Sequence, residues 1–398
     1  MATNVKKKTS SSSTESASAP KIAATDPVVL ELWTRSGGRC EFHGCNEYLL
    51  EDELTTNQAK LADIAHIVAR SANGSRGEDP MPLTERNKFE KLMLACTTHH
   101  RMIDNKRLAD HFPKELLMQY KQDHEARIRH LTNMKPEHET VVLRVLGNIR
   151  GDSVSVSHEE VRTAVLDAKR YPRYLRGDRT IEIDLQALSQ EVNADYWTAA
   201  KSSIDDVVTQ LIAPGIAKKE IGHLSVFALA RIPVLVYVGN AIGDKVVTDF
   251  YQRHRDEPMD WRWRHGEVAA FDVTRIQHGT DQKRIALVLS LSGRITRESL
   301  PANIDDQYHI YEIAPVGINP DRSIFNTRES LAAFQRTYQS ALRAIEAEHG
   351  LRGELHLFPA IPAPVAVICG RELLKDVSPQ LHVYDRIGDG YELALTIN

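Results

Sequence analysis

Two stretches of this chain, GHLSVFALARIPVLVYVGN from Gly222 and GELHLFPAIPAPVAVICGR from Gly353, superpose at one constant offset. The matches are Gly222/Gly353, Leu224/Leu355, Phe227/Phe358, Pro233/Pro364, Val234/Val365, Val236/Val367 and Gly239/Gly370. Identities at a single spacing imply a duplicated α/β half related by a pseudo-two-fold axis. Each copy follows an amphipathic segment, residues 204–212 in the first and 331–348 in the second. The two runs are apolar almost throughout. We read each as a buried strand, a proline-rich kink and a second strand ending in glycine, within a Rossmann-like sheet whose ligands lie at the strand ends. A ligand bridging two such halves would itself have two similar halves.

The duplication leaves the first third of the chain to a separate task. At 398 residues the sequence has room for two or three domains. No apolar run reaches the roughly 18 residues of a membrane helix, and a soluble, cytoplasmic protein is expected. The 50 basic and 54 acidic side chains give a net charge of −4, so a DNA contact must use a local patch rather than a long-range field. Residues 1–24 are rich in Lys, Ser, Thr and Ala without an apolar core, which predicts a disordered tail rather than a secretory signal.

Of the four cysteines, Cys369 lies in an apolar run and reads as a buried, inert thiol. The other three have metal-site spacing. Cys40-x4-Cys45 offers two thiolates from a tight loop after a short helix, and Cys96-x2-His99 offers a thiolate and an imidazole where a helix starts. Together they predict a closed, tetrahedral structural zinc site, with His43 as an alternative ligand. Between the pairs, KLADIAHIV reads as a strand ending near His66. A polar loop, an apolar strand at residues 92–95 and a helix from Thr97 or Thr98 follow. His100 and Asp104, at i and i+4, share one face of that helix and can reach one divalent cation, while His99 points about 100° away. Phosphodiester hydrolysis needs a base to activate water and a cation to stabilise the phosphorane, and His66 can be the base. The following segment, residues 107–131, reads as one long amphipathic helix. Its Lys114, Lys121, Arg127 and Arg129 most simply form a solvated face.

These residues carry a resemblance. The order C-x4-C, A-H-I, L-M-L-A-C-x2-H-H-x2-I-D looks like the HNH (ββα-metal) endonuclease family over residues 28–105. The resemblance implies His66 as general base, His100 and Asp104 as ligands of Mg2+ or another divalent cation, and Cys40, Cys45, Cys96 and His99 as zinc ligands. The chain departs from the pattern at Ala65, where a metal ligand is usual and Asp63 is a possible replacement. It departs again at Lys91, where an asparagine is usual; either Lys91 itself or Asn87, four residues earlier, takes that role, with Asn87 named as the substitute.

A polar, proline-containing stretch at residues 132–139 marks a domain boundary. Beyond it, HLSVFALARIPVLVYVG, the W-x-W at Trp261 and Trp263, ALVLSLSGRI, LHLFPAIPAPVAVICGREL and HVYDR resemble the SAVED family, sensors of cyclic oligonucleotides built from two fused CARF-like halves. The expected fold class is α/β and multi-domain: a tail at residues 1–24, an HNH domain at 25–135, a linker or start of the sensor at 136–180, and a SAVED domain at 181–398. The combination resembles the effector nucleases of CBASS antiphage systems. It implies cleavage of double-stranded DNA switched on by a cyclic di- or trinucleotide, with assembly from a homodimer into larger oligomers.

Read from the residues, the cyclic-nucleotide contacts are Arg253, Arg255, Arg262 and Arg264 for phosphate and Trp261 and Trp263 for base stacking. If their segment is a strand, the tryptophans face one side and Arg262 and Arg264 the other. Ser290 and Ser292 can bond phosphate or cap a turn, and Pro359 and Pro362 shape the pocket wall. Two alternatives stand beside this reading. One is a restriction-type HNH nuclease with a DNA-reading C-terminal domain; the other is a non-catalytic nucleotide sensor or scaffold.

Overall fold

The computed structural model describes residues 26–51, 61–149, 152–173, 180–188, 192–255, 259–350, 353–373 and 379–397. The tail expected at residues 1–24 lies outside them. The chain divides into two units, Met1–Met134 and Lys135–Asn398.

In the first unit, α1 (Pro27–Ser36) is opened by the Asp26 carboxylate, which accepts from the Val28 amide at 2.9 Å, and is closed by Gly37 in the left-handed region. Strand β1 (Ala62–His66) pairs antiparallel with β2 (Leu92–Cys96), His66 facing Leu92 across the ladder. Every residue of β2 is buried. Helix α2 (Thr97–Asp104) starts at the residue after β2, so the hairpin and the helix form one continuous device. The expected long helix of residues 107–131 is shorter: α3 runs Lys114–Thr132 with Pro113 at its N-cap. Proline fixes its own φ and holds the residue before it out of helical conformation, so the helix begins after it. Its lysines are not all solvated. Lys121 is buried, 3.7 Å from Glu41 and 2.6 Å from Glu125, with its ammonium 3.8 Å above the Phe89 ring.

The second unit starts with β3 (Glu139–Leu146), a short hairpin of β4 (Asn148–Ile149) and β5 (Asp152–Ser153), and α4 (His158–Asp167), whose Ser157 cap accepts from the Glu160 amide. Then come β6 (Tyr171–Arg173), β7 (Ile181–Asp184), α5 (Ala194–Val207), a π-turn at Val208–Ile212 and α6 (Ala213–Ala217). Strand β8 (His223–Leu229), helix α7 (Ile232–Ile242) and β9 (Val247–Tyr251) complete a parallel sheet. In it β6 and β7 share one flank of β3, followed by β8 and β9. The described residues of 136–180 thus supply the central strand β3 and its neighbour β6 in this unit.

The second sheet uses β10 (Phe271–Gln277), β11 (Arg284–Ser290), β12 (His309–Pro315), α8 (Arg328–His349), β13 (Glu354–Ala360), α9 (Ala363–Arg371), β14 (Gln380–Ile387) and β15 (Gly390–Ile397). Its order is β10-β12-β11-β13-β14-β15, with β12, β11, β13 and β14 parallel and the two outer strands antiparallel. The parallel cores of the two sheets therefore share one winding: the second strand, the first, the third, the fourth.

The repeated motif itself differs from expectation. Each buried strand leads into a helix, α7 or α9, not into a second strand. A short run apolar on every side has no period to separate helix from strand, and here Pro233 and Pro364 occupy first-turn positions that favour helix. The helices are apolar all round because they pack on each other as well as on the sheets. A Cβ on Gly239 would stand 1.9 Å from the Val367 carbonyl oxygen, and one on Gly370 would stand 1.7 Å from that of Val236. Both contacts obey the offset of the sequence repeat.

Candidate functional site

The loop after α1 turns back through Gly44 and Asn46, both at positive φ, and carries Cys40 and Cys45 toward the start of α2. There Cys96 is the N-cap and His99 lies in the first turn. The donor atoms of Cys40, Cys45, Cys96 and His99 all lie within 4.8 Å of one another. His99 Nδ1 is 3.7 Å from Cys40 Sγ and 3.1 Å from Cys96 Sγ, and the Phe42 ring stacks on the imidazole at 4.2 Å. His43 is exposed and stacks on Tyr120, away from the cluster. Burial pushes the Cys40 and Cys96 thiols upward, and neighbouring thiols add to the effect. A divalent ion reverses both penalties, since zinc holds its thiols as thiolates. Three sulfurs and one nitrogen at this spacing fit a closed zinc site.

At the other end of the hairpin, His66 ends β1 with Nε2 3.0 Å from Asn87 Oδ1. Asn87 sits between two 3-10 turns, Leu83–Glu85 and Phe89–Lys91. With the amide oxygen facing it, Nε2 carries the proton and donates, which leaves Nδ1 as the basic atom. Burial holds His66 below its ordinary value, against the pull of Asn87; Arg70 and His100 act with burial, and Asp104 against it. On α2, His100 Nε2 lies 3.5 Å from Asp104 Oδ2. One imidazole and one carboxylate make an open two-donor site of the kind a hard divalent cation completes with water and phosphate oxygens.

The two departures from the family pattern resolve differently. Lys91 sends its ammonium to Met118 Sδ at 4.0 Å, so Asn87 rather than Lys91 faces His66. Ala65 is fully buried in the core, and Asp63 shares its side of β1 by strand alternation. Two positioning residues had no motif to announce them. The Arg76 guanidinium donates to the carbonyls of Ile67, Ile103 and Phe112, and that of Arg86 to those of Ala69, Gly77, Asp79 and Met81. Together they pin the connection between β1 and β2 that presents Asn87. The only sequence signal was an arginine in a loop otherwise rich in Gly, Pro and Ser.

In the second unit the expected ligand contacts are placed otherwise. Residues 260–270 form no strand. Trp261 is fully buried, edge-on to Phe227 at 5.3 Å, and so belongs to the core rather than to a base-stacking surface. Trp263 is half-buried beside Tyr251. Arg262 and Arg264 both pair with Asp260, at 2.7 and 2.9 Å, and Arg253 pairs with Glu160 at 2.5 Å while lying over Trp261. Arg255 is exposed. Pro359 is buried within β13 opposite Leu289, and its carbonyl accepts from the Tyr391 hydroxyl; Pro362 caps α9.

The carboxyl ends of the strands are polar in both halves. Ser290, buried at the end of β11, donates to Glu312 at 2.5 Å and accepts from the Ile295 amide, and the Ser292 amide donates to Ala360. A cavity of about 280 Å³ opens there, lined by Ser290, Glu312, Thr296 and the exposed Arg294. In the first half the Arg231 guanidinium, after β8, meets Asp385 of β14 at 2.6 Å.

Residues 204–397 match the family described as the SMODS-associated and fused to various effectors sensor domain, SAVED. The second unit carries a SAVED domain. Structural likeness is found to the Cap4 SAVED/CARF-domain containing receptor of Acinetobacter baumannii with the cyclic trinucleotide 2'3'3'-cAAA, at 15% identity and TM-score 0.43, covering 75% of this chain and 62% of that one. The same receptor with 3'3'3'-cAAA gives 13% and 0.42, over 75% and 62% of the two chains. The Cap4 receptor of Moraxella osloensis gives 12% and 0.42, over 75% and 60%. The chain thus spans about three fifths of the length of these receptors. Comparison with the curated proteins gives no match. Among the described residues no helix is long and apolar enough to cross a membrane. The SAVED domain begins its family match at residue 204, yet its first sheet is centred on β3, upstream of that match.

Proposed function

We propose that this chain is an antiphage effector in which an HNH-type first unit cleaves double-stranded DNA when the SAVED domain binds a cyclic di- or trinucleotide. The observation that carries the reading is the convergence of His66, Asn87, His100 and Asp104 on one hairpin and helix, beside a Cys3His cluster that fixes where the helix starts. His66 Nδ1 takes a proton from water as that water attacks phosphorus. Its depressed basicity keeps the imidazole neutral, hence able to accept, at neutral pH. Asn87 fixes the tautomer and the ring plane. A divalent cation held by His100 and Asp104 would supply charge stabilisation for the phosphorane and the leaving oxygen.

The SAVED domain supports the gating half of the proposal. Two sheets of one winding offer paired strand ends to a ligand with repeated nucleotide units. Binding shifts the population toward an assembly of chains competent to cut. Plasmid DNA incubated with the purified chain and Mg2+ should be nicked or cut only on addition of a cyclic di- or trinucleotide, and His66→Ala should abolish the cleavage. Strong cleavage by a low concentration of protein without nucleotide refutes the gating. Cleavage unchanged in His66→Ala refutes the catalytic assignment.

A further inference from the structure

The second unit holds a second cluster of metal-binding side chains, away from the strand ends assigned to the nucleotide. Glu354 opens β13, His356 follows on the same face, and His382 stands opposite His356 on β14. One donor atom of each lies within 4.8 Å of the others. The Glu354 carboxylate is 3.6 Å from His356 Nε2 and 3.8 Å from His382 Nε2. Both Nε2 atoms are shielded from solvent and have no hydrogen-bond partner. The other nitrogen of each ring is held: His356 Nδ1 lies 3.0 Å from the Tyr384 hydroxyl and His382 Nδ1 3.2 Å from Thr396 Oγ1. The two rings stack at 4.8 Å.

The carboxylate stands 3.6–3.8 Å from the two Nε2 atoms, beyond the reach of a good hydrogen bond. That spacing suits something between them. Donors at about 2.0–2.2 Å from a tetrahedral ion stand about 3.4 Å apart, and the hydroxyl oxygens beside the far nitrogens can accept an N–H, the kind of outer bond that orients a ligating imidazole. Arg284 on β11 and the Tyr308 ring are the remaining neighbours of His356. Arg284 already has Asp281 at 3.5 Å.

The duplication supplies an internal control. The corresponding rung of the first sheet joins Ser225 of β8 to Asp249 of β9, with His223 one step earlier on the same face. There the carboxylate is met by Arg170 at 3.2 Å and by Arg328, and Thr140 bonds both Ser225 and His223. The carboxylate on this rung of the first sheet is therefore already met by arginines, Arg170 from its own half and Arg328 from α8. The second half sets two imidazoles and a carboxylate in the equivalent place.

We propose that Glu354, His356 and His382 bind a divalent transition-metal ion of the zinc class, with water completing the coordination on the exposed side of Glu354. Two nitrogens and one oxygen suit zinc and its neighbours better than Mg2+ or Ca2+. The site lies at the amino-terminal edge of β13, six residues and so about 20 Å from the strand ends. It ties β13 to β14 independently of nucleotide binding and of any DNA cleavage.

The test uses the full chain, stripped with a chelator, reloaded with zinc, desalted and measured for metal. His382→Gln and Glu354→Gln should each carry one zinc fewer per chain than the wild type and lose part of the zinc-dependent rise in Tm. Glu354 is exposed, so that variant keeps its fold; matching far-UV circular dichroism of the metal-free proteins checks this. Cys96→Ser should lose a different equivalent. Loaded with Co2+, Cys96→Ser should keep a visible ligand-field band free of thiolate charge transfer, and the double variant Cys96→Ser/His382→Gln should have none. Equal zinc content and equal Tm rise in wild type, His382→Gln and Glu354→Gln overturn the proposal. So does a wild-type chain that reloads a single equivalent and loses it with Cys96→Ser.

Discussion

The cysteine–histidine cluster of the first unit and the WRWRH segment of the second are equally dense in binding residues, and the fold treats them in opposite ways. Around Cys40, Cys45, Cys96 and His99, like donors are driven together, and burial makes the Cys40 and Cys96 thiols resist ionisation. Around Trp261, each arginine has a carboxylate at hand and the indole is core. Convergence without internal compensation costs stability unless a ligand arrives; convergence with compensation stabilises the chain by itself. The first arrangement therefore points outward to a ligand, the second inward to the fold.

The sharpest way to break this contrast is to remove a thiol. On the proposal that the cluster holds zinc, Cys96→Ser should release it and unfold the first unit, because a structural zinc contributes on the order of 10 kcal/mol to folding. Zinc content together with limited proteolysis checks it, and the second unit should stay protected. Next comes chemistry beside the cluster. His66→Ala should lower cleavage by about 10²–10⁴-fold with zinc retained, the range of a general base, and Asn87→Ala should cost less, about 10-fold. Wild-type cleavage should rise with pH through a midpoint below 6.5, since burial depresses His66 and only its neutral form accepts a proton.

A smaller effect is expected on stability. His223 is held at about 4 by burial, against the raising influence of Asp249, so the unfolded chain binds its proton first as pH falls. Stability is therefore full above about 6.5 and declines toward pH 4. His223→Gln should flatten that decline in denaturant titrations. Smallest of all, Arg262→Ala should change cyclic-nucleotide affinity by less than about 3-fold, because its guanidinium belongs to Asp260 and exposed pairs contribute little. A large loss of affinity would erase the distinction drawn between the two regions.

Legibility followed the same line. Cys96, His99, His100 and Asp104 are fixed relative to one another by a single helix, so spacing alone was enough to place them on their faces. Asn87 could be named but not decided against Lys91, because the choice depends on how Arg76 and Arg86 fold an irregular loop. The duplication is plain in sequence, whereas its second element reads as strand and folds as helix: a run buried on all sides shows composition but no period. The arginines near Trp261 read as ligand contacts for a similar reason. Asp260 is in view as a neighbour, but pairing through space with Glu160 is not.

The crossing of α7 and α9 has a last consequence. Gly239 meets the Val367 backbone as Gly370 meets that of Val236, the reciprocal pattern of an isologous dimer interface, here enclosed within one chain. Each half thus stands to the other as one subunit of such a dimer stands to its partner. A half expressed alone would present a bare apolar helix with a notch cut to fit its own copy, at a position where a side chain would collide with the other half's backbone.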